Sequence, residues 1–174
     1  MAELQQQKEQ MKKEILGEGE PTPRFNIKQA ILPVALVAVG TVAVWEPHMK
    51  QLNRYVYKNV HTDMGGVDNY LQFAPLALNL GITIGGVKSK YSNIDNLMAT
   101  VTSVAVMYAL TSTMKYTIRE PRPYDATERN SFPSGHVARA FRSAEMMRIQ
   151  HGNWWGLSGY ALASVVAYSR IAQG

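Results

Sequence analysis

Apolar residues in this chain fall into blocks, and the way each block is interrupted predicts what it forms. Residues 1–24 are rich in Gln, Glu and Lys, show no apolar face of useful width and end in Gly17-Glu18-Gly19-Glu20-Pro21-Thr22-Pro23. Such a stretch predicts a solvated tail or short surface helix followed by a linker. The division that follows is a polar tail and linker over 1–26 and one helical domain over 27–174. The first apolar run starts near Ala30, too late for the apolar core of a signal peptide. From Ala30 to Trp45, Ile31, Leu32, Val34, Leu36, Val37, Val39, Val42 and Val44 lie all round a helix. At about 1.5 Å per residue its length is marginal for a bilayer core of about 30 Å. If it spans, Trp45 marks the interface.

Residues 46–67 are mixed, with Leu52, Tyr55, Val56 and Val60 at helical spacing, which predicts an amphipathic helix. A second apolar stretch, Tyr70 to Val87, carries Pro75, Asn79, Gly81, Gly85 and Gly86. Its small residues allow close helix contact, and Asn79 requires an internal partner. The third stretch, Leu97 to Met114, is the cleanest and delivers Lys115 at its end. A fourth helix, Val137 to Ile149, carries Arg139, Arg142, Glu145 and Arg148. Glu145 lies three residues from both Arg142 and Arg148, so pairing on a helix surface accounts for these charges. The sharper alternative is that Arg139, one turn beyond His136, adds charge near a substrate. Trp154-Trp155 then precede a fifth helix, Leu157 to Tyr168, which ends in Ser169-Arg170.

Charge and composition narrow the classes. Net charge is +5, which suits a surface or pocket that meets anions. The basic residues are not arranged as a stripe interleaved with aromatics, so nucleic acid is discounted. The chain has no cysteine, which excludes disulfides and thiolate metal sites. His48 and His61 lie thirteen apart without clustered carboxylates and read as surface histidines. No metal-ligand cluster or nucleotide-binding glycine loop appears, so no cofactor is expected, and a phosphate would be held by cationic side chains and backbone amides.

The chemistry concentrates in residues 115–136. Lys115 is a flexible point charge, and Arg122 is a planar fork able to take two phosphate oxygens. Pro121 and Pro123 restrict the backbone on either side of that fork. Pro133-Ser134-Gly135-His136 reads as a turn feeding a helix, where the amides of Ser134 and Gly135 can meet an anion and His136 can hand over a proton. Lys115, six residues, then Arg122-Pro123, with Pro133-Ser134-Gly135-His136 following, resembles the first two signatures of the type 2 phosphatidic acid phosphatase superfamily. Ser169-Arg170 is similar to the opening of the third. The resemblance implies that Lys115, Arg122 and Arg170 bind phosphate, that Ser134 and Gly135 assist, and that His136 protonates the leaving oxygen. In the family the Ser-Arg pair is followed, after five residues, by the nucleophilic histidine and soon by its aspartate. Here Ile171, Ala172, Gln173 and Gly174 follow Arg170, so the sequence reads as truncated within the third motif.

The expected architecture is an all-α transmembrane bundle, with about five family helices present and the sixth missing. With family context, helices one to three and five span the membrane. The resemblance then implies a multi-pass protein of a bacterial inner membrane, its tail in the cytoplasm and its site on the extracytoplasmic face. The implied activity is metal-independent hydrolysis of a lipid phosphate or diphosphate, such as phosphatidic acid or undecaprenyl diphosphate, through a phosphohistidine. Two alternatives stay open. One is a catalytically inactive phosphate-binding or membrane interaction protein, which the missing nucleophile favours. The other is a relative of the soluble acid phosphatases, which a mean hydropathy of only −0.18 keeps in play.

Overall fold

The computed structural model describes residues 1–16, 38–60, 66–122 and 127–173, and among these the protein is all-helical. Helix α1 is Ala2–Leu16, and residues 38–45 are helical. They are followed by α2 (Pro47–Val60), α3 (Asp68–Leu71), α4 (Ala74–Ile84), α5 (Asn93–Ile118), α6 (Gly135–His151) and α7 (Asn153–Gln173). The start of the first apolar run, the Gly/Pro linker and His61 lie outside the described residues, as does the boundary between tail and domain. His48 is exposed and bonded to Glu46 at 2.7 Å.

The centre of the bundle is the antiparallel pair α6 and α7, joined through Gly152 alone. Gly152 has φ +105, a conformation that costs a residue with a Cβ, and its N–H closes α6 by donating to Arg148 O at 2.9 Å. The two helices approach closely because small residues line their contact. Ala140, Ala144, Ala163 and Val166 are fully buried, and Leu71, Phe141 and Tyr160 pack around them. A Cβ on Gly159 would lie 3.0 Å from Ala144 Cα and 2.5 Å from Met147 Cε, so glycine is required there. Helix α4 packs against both α6 and α7, burying Pro75, Asn79 and Ile82. Asn79 Nδ2 donates to Gln150 Oε1 at 2.7 Å, which supplies the internal partner its position demands.

Two expectations are corrected. The stretch from Tyr70 to Val87 is not one helix. It breaks at Gln72 and Phe73, where Pro75 sits in the first turn of α4, and the 11 residues of α4 reach only about 16 Å at 1.5 Å per residue. Second, Glu145 pairs with Arg148, at 2.6 and 2.7 Å, and accepts from Tyr160 Oη, whereas Arg142 donates to Ser103 and Ser143. Burial pushes the Glu145 carboxyl up, but the hydrogen bonds from Arg148 and Tyr160 outweigh burial and hold it below its ordinary range. Among the described residues only α5 is both long and apolar enough to cross a membrane. At 26 residues it extends about 39 Å, and it buries none of them inside the protein.

Candidate phosphate site

Four stretches of chain meet at one end of the bundle. Helix α5 starts on Ser92, whose Oγ accepts from Asp95 N at 3.1 Å, and runs until Arg119 adopts φ 51 and ψ 42. That left-handed residue stops the helix four residues after Lys115 and turns the chain into the loop. Two backbone bonds then draw the loop together: Ser131 N to Glu120 O at 3.1 Å and Arg122 N to Glu128 O at 3.0 Å. Helix α6 begins on Ser134, whose extended backbone and side-chain oxygen cap Val137 N at 3.5 Å. His136 is therefore in the first turn, where backbone amides lack helical acceptors and the helix dipole is positive. Helix α7 returns to the same end with Arg170 in its last turn.

Between these stretches lies a cavity of about 430 Å³. Lys115, Arg122, Ser134, Gly135, His136 and Arg170 all line it, so the structure brings together all six residues singled out from the sequence. Asn130, Ser131 and Arg139 line it as well, and among the described residues no carboxylate lines it. Arg122 is held from the side: its Nε lies 2.8 Å from Asn130 Oδ1 and 3.0 Å from Glu128 Oε2. Arg170 donates to Gln173 Oε1 at 3.0 Å. The His136 ring is oriented by Asn69, with Nε2 and Oδ1 3.1 Å apart. Lys115 experiences the like charges of Arg122, Arg139 and Arg170, a concentration of positive charge that an anion would relieve. Chemically, the arrangement offers forked and point-charge donors to a tetrahedral anion, first-turn amides beside them, and an imidazole at the rim.

Arg139 belongs to this site rather than to a solvated helix face. Its guanidinium donates to Gln72 Oε1 and lies over the Tyr108 ring, 5.5 Å from the centroid. Its spacing three residues after His136 was the available signal. Asn69 and Gln72 had none, since each contacts a residue 67 positions away and neither belongs to a recognisable motif.

The chain is similar to the lipid A 1-phosphatase of Porphyromonas gingivalis, at 29% identity over 160 residues. The alignment covers 90% of this chain and 35% of the relative, so the chain spans about a third of that protein's length. No family model matches the sequence, and no solved structure matches it.

Proposed function

We propose that this chain is the phosphate-gripping part of a type 2 phosphatidic acid phosphatase that hydrolyses a membrane lipid phosphate or diphosphate. The observation that carries the reading is the convergence of Lys115, Arg122, Ser134, Gly135, His136 and Arg170, drawn from four stretches of chain, on one cavity. The name of the relative supports a lipid phosphate as the substrate class. The outward apolar surface of α5 supports a lipid surrounding, because the phosphate site sits at the C-terminal end of that helix, where a headgroup would lie.

In this reading Arg122 and Arg170 take the non-bridging oxygens, Lys115 adds a mobile charge, and the amides at the start of α6 complete the cradle. By the family resemblance, the in-line attack on phosphorus belongs to a histidine of the third motif, while the residues at this cavity supply the grip and the acid. The bond from phosphorus to the lipid oxygen breaks, its electron pair stays on that oxygen, and His136 supplies the proton. Water then releases phosphate from the phosphohistidine. Asn69 is a positioning residue, holding the imidazole of His136 at the cavity. The site opens on the extracytoplasmic face, with α1 on the cytoplasmic side and an odd number of spans between them.

The grip is testable without turnover. Inorganic phosphate or vanadate should raise the unfolding temperature of the 174-residue chain in detergent, and Arg122→Ala should abolish that protection. Loss of one charge-assisted, forked contact should weaken binding by about 1.5 to 3 kcal/mol, read by calorimetry. Unchanged protection in the variant would make Arg122 an ordinary loop charge and sink the reading.

A further inference from the structure

Arg139 lines the cavity from α6 without belonging to the grip just described, and the segment that orders it starts at α3. Asn69 N donates to Gly66 O at 3.1 Å and Leu71 N to Val67 O at 3.0 Å, which closes this single turn. Leu71 packs against the buried Ala140, Ala144, Ala163 and Val166, so the turn is pinned to α6 and α7. Asn69 and Gln72, on either side of that anchor, then reach α6. Asn69 meets His136 at 3.1 Å, and Gln72 accepts from Arg139. Two residues three apart on the short segment thus hold two residues three apart on one face of α6.

The orientation of the Gln72 amide is forced. Gln72 is only 5% exposed, and its Nε2 donates to Asn69 O at 2.6 Å. A backbone carbonyl can only accept, so the amide nitrogen must face it, and Oε1 is left to accept from the Arg139 guanidinium. On another side the Tyr108 ring of α5 lies under that guanidinium, its centroid 5.5 Å from the guanidinium carbon. Both partners are uncharged. They fix the planar group without neutralising it, and a donor ordered before its ligand arrives loses less rotamer entropy on binding.

Resting on the proposed function, we propose that Arg139 is a further phosphate ligand and that Gln72 and Tyr108 are positioning residues that hold its guanidinium at the cavity. A phosphate oxygen accepts a charge-assisted hydrogen bond from Arg139. Gln72 touches no phosphate and acts through Arg139 alone. Because the same segment carries Asn69, the extra donor and the His136 imidazole are set in place together.

The experiment is a double-mutant cycle, with inorganic phosphate binding measured by calorimetry on the full chain in detergent. Arg139→Gln should weaken binding about 10- to 100-fold, the range for a hydrogen bond to a charged group. Gln72→Met, close in volume but without the amide, should weaken it about 2- to 10-fold, the range for releasing one immobilised side chain. In the Arg139→Gln background, Gln72→Met should change phosphate affinity no further, because the group it positions is gone. A Gln72 that serves packing alone would lower the unfolding temperature of the free chain and leave phosphate affinity unchanged, or weaken it equally in both backgrounds; either result overturns the proposal. Unchanged affinity in Arg139→Gln overturns it too. Should either variant fail to fold by circular dichroism, Tyr108→Leu decides, since this half-exposed position frees the guanidinium from its other side. It should weaken phosphate binding about 2- to 10-fold, and undiminished affinity overturns the proposal. Phosphate binding that ignores Arg139 removes this proposal alone, whereas a wild-type chain that binds no phosphate removes the proposed function with it.

Discussion

Helices α5 and α6 invert the usual relation between polarity and burial. Helix α6 carries Arg139, Arg142, Glu145 and Arg148, yet it lies at the centre of the bundle, with Ala140, Ser143, Ala144, Met146, Met147 and Gln150 buried. Helix α5 is a nearly continuous apolar run, yet it buries nothing and exposes Leu97, Met98, Val101, Val106 and Leu110. In water, exposing so much contiguous apolar surface would be unfavourable at about 25 cal/mol per Å². In lipid the penalty vanishes, and helices associate instead through close packing of small residues and hydrogen bonds between polar ones. The α6–α7 contact has both: alanines and glycines along the seam, and the Glu145–Arg148–Tyr160 cluster beside it. The comparison teaches that size and hydrogen-bonding capacity, more than hydropathy, decided which helix is central.

Three substitutions break or sharpen this contrast. The largest effect is expected from Val106→Arg, in the middle of the outward face of α5. If that face meets hydrocarbon, the charge should cost about 2.5 to 3.5 kcal/mol of membrane insertion, measured as the inserted fraction in vesicles. A face that meets water would tolerate it to within about 0.5 kcal/mol. Next comes Gly159→Val at the α6–α7 seam, where the new side chain meets Ala144 and Met147. Overpacking there should destabilise the chain by about 1 to 3 kcal/mol in detergent denaturation. A neutral result would mean that the seam is looser than the described packing.

The smallest effect belongs to Glu145→Gln. Its pair with Arg148 is more than a third exposed, so solvent screening limits the loss to about 1 kcal/mol or less at neutral pH. The pH dependence is more diagnostic. Because the folded carboxyl is held below its ordinary range, its contribution is fully present above the unfolded value of about 4.3 and is lost as pH falls through the lower folded value. Glu145→Gln should therefore flatten the acid side of the stability profile. An unchanged acid limb would show that the pair contributes nothing to the central seam.

Local pattern was enough for the helices whose signal is continuous. Leu97 to Met114 reads as helix from composition alone, and Pro133-Ser134-Gly135-His136 reads as a turn feeding a helix, so Lys115 near the end of α5 and His136 at the start of α6 were legible. The six motif residues were legible too, because fixed residue types at fixed spacing lie in short segments. Less legible was the break at Gln72 and Phe73, since the apolar run continues through it and only Pro75 hints at a new start. Charges on α6 misled for a related reason: spacing along a helix lists possible partners, but Glu145 could choose Arg148 over Arg142 only once α7 brought Tyr160 alongside. Asn69 and Gln72 were silent in the sequence, as their roles come from contacts 67 residues distant. By itself the sequence determined the helices with a continuous signal and the chemical types available for a phosphate. Tertiary structure alone decided that Lys115, Arg122, His136, Arg139 and Arg170 share one cavity, because bringing like charges together requires a packed scaffold whose close contacts outweigh their repulsion.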